Sequence, residues 1–546
     1  MEYIEKIGDF MNNINLSNIK ISNDTVQLEF LYKNEYINDN SKLYFEDINN
    51  NQYFLNVHKC KNKVNYSYNN EFVEVAKVFI NFRFKNYGFL KLYLNDSNNK
   101  LVLNILDNKN AKISTKDNPY MIFYKDFKIQ LLDNGINFVH KKSGDKLKYE
   151  LKKQLYGLKK YRKFFVFRLL KSSRRKYYLF NDRLLYGDDN AEELFKFVCN
   201  NKLDILKNSF FVIDKNSLAF NRISSIGRVL KFGSLQHKLK FLNSRIVLSS
   251  HSSYLGNCFN PFSEIEMDLY KDLINKQFVF LQHGIVMNDV RQYLNRELTT
   301  ADLFITSTNA EYNYVSSEDF MYEPNMVVPT GLPRFDKLKN DISNVILISP
   351  TWRAYDESLS FEASDYYANF SSLLKNAHLL NILKTKNYKI KFLLHPVFDK
   401  YKYLFDKFKN DYVQILTTGE IKYFSLFNEC ALFITDYSSI HFDVATLEKP
   451  ILYYQFDKDF FFNNHYQAGY FDYQKDGFGK VVYNEADLID ELDYYLNNNC
   501  KIKDYYKEII ERTFIHLDHN NSKRVMEEVL KLDKTEDINY RFNNVH

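Results

Sequence analysis

The stretch ALFITDYSSIHFDVATLEKPILYYQFD, residues 431–457, decides the fold. An unbroken apolar run, LFIT, ends in an acid, a tyrosine and two serines, and a second apolar run, ILYY, follows one helix-length segment later. Runs that are apolar without alternation read as strands buried on both faces, and the segment between them reads as the crossover helix of a βαβ unit in a parallel sheet. A strand that only filled a core would usually close with a bare turn. If the helix starts at Ser438 and Ser439, its unpaired N–H groups, its positive dipole end and the two hydroxyls form a place for a phosphate. A plain N-cap, in which Asp436 or Ser438 satisfies only its own helix, uses the same residues.

The texture continues on both sides. Downstream of residue 336 come NVILISP, KIKFLLHP, ALFITD and PILYYQF, with helical segments such as FSSLLKNAHLLNILKTK between them. Upstream, KYYLFND, FFVID, RIVLSS, QFVFLQH, DLFITS and NMVVPTG form a first set, and DDNAEELFKFVCNN reads as a capped amphipathic helix. These are two successive Rossmann-like lobes, 177–335 and 336–535, joined near TGLPRFDKL and followed by a tail at 536–546. Ahead of them, residues 1–145 carry short alternating runs such as TVQLEFLY, KVFINFRF and FLKLYLN, which predict a β-rich, sandwich-like domain. Its His58 and His140 each stand alone beside lysines, as solvated surface histidines do. Residues 146–176 hold thirteen Lys or Arg around Leu151, Leu155, Leu158, Phe165 and Leu169 at roughly helical spacing. This basic amphipathic linker either packs on its own protein or lies on an anionic membrane surface.

A chain of 546 residues is long enough for several cores. Its 74 basic and 68 acidic residues leave a net charge of +6, too near balance to indicate a nucleic-acid partner. Five scattered cysteines, Cys60, Cys199, Cys258, Cys430 and Cys500, form no metal-like spacing and fit a reducing cytoplasm. The opening MEYIEKIGDF carries early acids and does not read as a signal peptide, and no apolar stretch is long enough to predict a spanning helix.

In open α/β sheets ligands bind beyond the carboxyl ends of the strands, and the chemistry-bearing residues gather there. FVFLQHG delivers His283 with Gly284, FLLHP delivers His395, ILISPTWR delivers Thr351 and Arg353, and LFITDYSS delivers Asp436, Ser438 and Ser439. One strand-end histidine is commonly structural. Two, one in each half, beside an arginine and a serine pair, mark a cleft between the halves.

Taken in order, NDRLLYGDDNAEELFKFV, QHG, TGLPRFD, SPTWR, LLHPVF and TDYSSIHFDVATLEKPILYYQFD resemble the CDP-glycerol glycerophosphotransferase family, the teichoic-acid and capsule-polymer polyol-phosphate transferases, over roughly residues 177–492. The resemblance implies an α/β fold of GT-B type, with a CDP-activated donor on the C-terminal lobe and a lipid-linked or polymeric glycan acceptor entering the cleft. It implies phosphoryl transfer of glycerol phosphate, or of ribitol phosphate, with release of CMP. On this likeness His283 is the general base on the acceptor hydroxyl, since an imidazole titrates near working pH. His395 binds or protonates the departing phosphate. Arg353, Ser438 and Ser439 hold the pyrophosphate, Thr351 belongs to the same donor site, and Asp436 belongs to it by orienting that loop or a histidine. A polymer acceptor implies work at the inner face of a bacterial cell membrane, by a cytoplasmic, peripheral protein with an anionic membrane surface among its partners.

No cofactor is expected, because no Asp-x-Asp cluster follows a strand; a loosely held divalent cation is compatible with this. The chain departs from the family in two places. HGIVMND stands where a Thr-Pro-Leu-Lys run often continues the histidine motif. QAGYFDY and DGFGKVV stand where Arg-Gly-Phe-Tyr and Pro-Gly-Pro are common, which leaves His465 or Gln467 in the arginine's place. Two alternatives share the fold: a GT-B glycosyltransferase using a nucleotide sugar, and a non-catalytic polymer-binding scaffold. TDYSS and SPTWR favour the phosphotransferase over the first, and the paired histidines speak against the second.

Overall fold

The computed structural model describes residues 176–534, apart from 253–258, 264–265, 267–269, 271–272, 275, 342, 354–360, 418–422 and 465–466, together with backbone strands between 15 and 140, parts of 142–151, residue 170 and a strand at 538–541. Two parallel sheets carry the architecture. The first lobe contains β1 (Tyr177–Asn181), β2 (Ser209–Ile213), β3 (Val229–Lys231), β4 (Ser244–Ser249), β5 (Gln277–Phe280), β6 (Leu303–Ile305) and β7 (Val327–Val328), in the order β3-β2-β1-β4-β5-β6-β7. The second contains β8 (Val345–Ile348), β9 (Lys389–Leu393), β10 (Val413–Leu416), β11 (Cys430–Thr435), β12 (Ile451–Tyr454) and β13 (Gly479–Val482), in the order β10-β9-β8-β11-β12-β13. In each lobe the strand order reverses beside the first strand, at β1/β4 and at β8/β11. Those are the points where loops diverge and leave a crevice for a ligand.

The unbroken apolar runs form these strands because both faces are covered. β5, β11 and β12 are buried at every position. The capped helix expected after β1 is α1 (Asn190–Asn200), with Asp189 as its N-cap accepting from the Asn190 amide. The segment FSSLLKNAHLLNILKTK is two helices rather than one, Asp365–Lys375 and Ala377–Lys386. Asn376 ends the first and caps the second, its side chain accepting from the Leu379 amide. The short strands β3, β10 and β13 were not among the expected runs; they lie at or near sheet edges.

One apolar core runs through both lobes, joining Phe180 and Ile246 to Phe433 and Tyr453 through Leu332, Phe335 and Leu338 of the connection. Asp336 in that connection accepts from the Asn521 and Ser522 amides, at 2.9 and 2.7 Å. It thereby caps a long helix, Asn521–Lys534, whose far end pairs through Asp533 with Arg245 of the first lobe. The end of the second lobe is thus fastened to the first.

In the region expected to be β-rich, strands between 15 and 140 pair antiparallel in two sheets, and Ile538–Arg541, read from sequence as part of a tail, pairs with Asn15–Ser22. Of the linker's apolar positions, Leu155, Leu158, Phe165 and Leu169 lie outside the described residues.

Candidate active site

The loops at the two crevices face each other across a cleft of about 690 Å³, lined by His283, Thr351, His395, Ser438 and Ser439 among others. Five of the seven residues singled out from sequence therefore meet in one place. Arg353 and Asp436 do not line it.

His283 follows β5 through a tight elbow. Gln282 has φ +59°, a left-handed conformation rare outside glycine. Its amide Nε2 donates to the Ile305 carbonyl and to Glu311, at 3.1 Å in the latter case, which fastens the elbow from beneath. Glu311 lies in α2 (Asn309–Val315), fully buried, and also accepts from the Val286 and Ser307 amides, each at 2.7 Å. Asn190 completes the clamp, donating to the Leu281 and Gln282 carbonyls at 3.0 and 2.8 Å. The result is a histidine open to the cleft on a rigid turn. Enclosure by the cleft walls pushes its pKa down to about 4; Asp189 raises it, while Arg183 and Arg334 lower it further. The ring is accordingly neutral at ordinary pH and able to accept a proton.

Gly284 meets the other lobe. A Cβ at this position would stand 2.7 Å from Ser439 Oγ, so glycine permits the close approach of the two loops, and a larger residue would make the Ser439 side chain shift.

On the second lobe, His395 follows β9. Its Nδ1 accepts from the Val397 amide at 3.3 Å, which in the neutral ring leaves the proton on Nε2, and its ring stacks on Trp352 with centroids 6.2 Å apart. Ser438 and Ser439 follow β11, but the helix does not begin at them. Amides 441 and 442 bond back to the carbonyls of Ser438 and Ser439, at 3.2 Å each, and the regular helix α3 is only His441–Ala445. The expected dipole at a long helix start is therefore corrected: the serines offer hydroxyls from a turn before a five-residue helix.

Arg353 also requires correction. Its guanidinium is buried and holds Asp457 at 2.6 and 3.0 Å, Asp436 at 2.8 Å and the Thr351 carbonyl at 2.6 Å. It cannot also reach a pyrophosphate in the cleft. Instead it ties together the loops after β8, β11 and β12. Asp436 completes that tie, accepting from the Thr351 and Tyr437 amides at 2.8 and 2.6 Å; it orients the loop and contacts no ligand space.

Three arginines line the cleft: Arg222 is paired with Glu192 and Arg334 with Asp189 and Asp443, whereas Arg183, exposed in the loop after β1, is in no ion pair among the described residues. In NDRLLYGDDN, the arginine directly after a strand-end acid is the signal in the sequence that marks it. Gln467 is not in the cleft lining, and its carbonyl accepts from the Asp289 amide at 3.1 Å. His465 lies outside the described residues.

Comparison with known proteins bears on the family and the fold. Residues 163–531 match the family model described as CDP-glycerol:poly(glycerophosphate) glycerophosphotransferase. The chain is 33% identical over 450 residues to the minor teichoic acid biosynthesis protein GgaB of Bacillus subtilis (strain 168), covering 78% of this chain and 48% of that protein. It is 26% identical over 207 residues to a teichoic acid glycerol-phosphate transferase of Staphylococcus aureus (strain NCTC 8325 / PS 47), covering 35% of this chain and 50% of that protein. The chain thus spans about half the length of these curated relatives. The solved structure of the wall teichoic acid polymerase TagF shares the fold, with a TM-score of 0.50 at 17% identity over 70% of this chain and 97% of TagF. On its motifs, its two lobes and a family match across most of its length, the chain belongs to the CDP-glycerol:poly(glycerophosphate) glycerophosphotransferase family.

Proposed function

We propose that this chain transfers a polyol phosphate, glycerol phosphate first and ribitol phosphate second, from its CDP-activated form to a hydroxyl of a lipid-linked or polymeric cell-surface acceptor, and releases CMP. The observation that carries the reading is the meeting of His283 and His395, from opposite lobes, in one cleft with Ser438 and Ser439. The acceptor oxygen attacks the phosphorus that bears the polyol, and the bond from that phosphorus to the oxygen of CMP breaks. His283 takes the hydroxyl proton, for which its neutral ring is suited. His395, with its proton on Nε2, donates a hydrogen bond to the departing phosphate, CMP leaves as the anion, and His283 returns its proton to solvent. Arg183 and the two serine hydroxyls hold the pyrophosphate as charge moves onto CMP, the role first assigned to Arg353. Similarity to a teichoic acid glycerol-phosphate transferase supports the same chemistry.

The acceptor would be met at a membrane surface. No helix among the described residues is long and apolar enough to cross a membrane. The basic segment 146–176 is proposed to hold the protein to anionic lipid on the inner face, at about 1 kcal/mol per basic residue near the surface; sedimentation with anionic but not neutral vesicles, lost at high salt, checks this.

The test of function is to incubate the purified protein with CDP-glycerol, CDP-ribitol and several nucleotide sugars, and to identify the nucleotide released. CMP from a CDP-polyol supports the reading, and turnover of nucleotide sugars alone overturns it.

A further inference from the structure

His251 has no role in the chemistry above, yet it touches the proposed base. It follows β4, the neighbour of β5 in the sheet, so the two loops leave the sheet side by side. Its ring lies face to face on His283, with centroids 4.8 Å apart and planes 17° apart. His251 is 8% exposed, whereas His283 opens to the cleft. The Nε2 of His251 has no hydrogen-bond partner among the described residues. A buried nitrogen left in that state costs on the order of 1–3 kcal/mol, so hydrogen bonding of this nitrogen does not explain the placement.

The groups that face His283 come from every side. Arg183 stands in the loop after β1, Asp189 at the start of α1, Arg334 in the connection between lobes, and the Ser250 backbone beside His251 itself. Asp182 lies behind, occupied by the Ser250 hydroxyl and the Asp189, Ala191 and Glu192 amides. The Ser250 backbone is hydrogen-bonded to the His283 ring, and the ring stacked on it among the described residues is that of His251.

Resting on the reading of His283 as the base, we infer that His251 is a positioning residue: its ring holds the His283 imidazole in the cleft-facing orientation and keeps water from one face of it. Water stabilises the imidazolium form more than the neutral ring, so a ring laid on one face disfavours protonation. His251 is itself kept uncharged by burial, which pushes its pKa down to about 3, so it contributes bulk rather than charge.

The test uses the full chain with carbon-13-labelled histidine, the His283 signal being identified by its loss in His283→Gln. In the unaltered protein His283 is expected to titrate near 4, well below the ordinary value. In His251→Ala its titration is expected to rise by about one unit or more toward the ordinary value, with kcat for CMP release falling about tenfold and KM for the donor little changed. His251→Phe, which keeps a flat ring without nitrogens, is expected to stay near the unaltered protein in both. Should His251→Ala fail to fold, His251→Asn removes the ring while keeping a polar group, and the same upward shift is expected. An unshifted His283 titration in the ring-removing variant, or a His251→Phe variant as impaired as it, overturns the inference. The titration needs no turnover, so its failure is distinct from failure of the proposed reaction, which an absence of CMP release from the unaltered protein would show.

Discussion

Arg334 donates to both carboxylate oxygens of Asp443, at 2.7 and 2.8 Å, from inside the connection between the lobes. The same guanidinium reaches Asp189 at 2.9 Å and the His283 carbonyl at 2.6 Å. One buried cation therefore joins the loop of the proposed base to α3 behind the serine pair. Removing one member of a buried ion pair leaves an uncompensated charge, which costs about 3–5 kcal/mol. Arg334→Leu is expected to lower the unfolding free energy by about that amount, measured by denaturant titration. A variant as stable as the parent would show that the contact is not the fastening described.

Arg183 and Arg353 make opposite predictions. Arg183→Gln is expected to weaken CDP-polyol binding about tenfold or more, the scale of one charge-assisted hydrogen bond, with stability preserved. Arg353→Gln is expected to destabilise the second lobe, because Asp436 and Asp457 lose their common partner. Calorimetric titration and thermal unfolding on each variant check the pair; a stable Arg353→Gln that binds donor poorly would restore Arg353 to the ligand site.

Gly284→Ala places a methyl 2.7 Å from Ser439 Oγ, and that side chain must move. Because Ser439 lines the cleft, donor affinity is expected to fall about tenfold while the melting temperature changes by no more than about 4 °C. Replacing Ser438 and Ser439 together by Ala is expected to weaken donor binding similarly. Unchanged affinity in both variants would leave the serines as turn formers only.

His283→Ala and His395→Ala are each expected to lower turnover about a hundredfold or more. The base must be deprotonated to act, so activity is lost as pH falls through its pKa. With that pKa pushed down to about 4, the acid limb of kcat/KM is expected near 4 and not near the ordinary 6.5. A limb at the ordinary value, absent in neither histidine variant, would assign the base elsewhere.

The sheets were legible because parallel strands covered on both faces leave unbroken apolar runs, and the strand ends then pointed to the cleft without further knowledge. Arg353 was misplaced because an arginine after a strand reads alike whether it turns outward or back; Asp457, 104 positions away in sequence, decides it. The start of α3 was misplaced because a serine pair satisfies the capping rule, whereas the turn at Ser438 and Ser439 delays the helix to His441. His251 escaped notice because SSHSS carries no glycine or proline landmark, and its partner comes from another strand. The two departures from the family pattern meet in space: Asp289 of HGIVMND bonds to Gln467 of QAGYFDY, and a Cβ on Gly469 would overlap the Met287 carbonyl. A change in one segment therefore has a physical reason to accompany a change in the other.

The central claim is that the bond broken lies between phosphorus and the oxygen of CMP. The most direct measurement uses CDP-glycerol carrying oxygen-18 in the ester oxygen between glycerol and phosphorus, with mass analysis of product and nucleotide. The account predicts that the label stays wholly in the lengthened acceptor and that the nucleotide released is unlabelled CMP. Labelled CDP would mean that the carbon–oxygen bond had broken instead, as in glycosyl transfer, and would contradict the account.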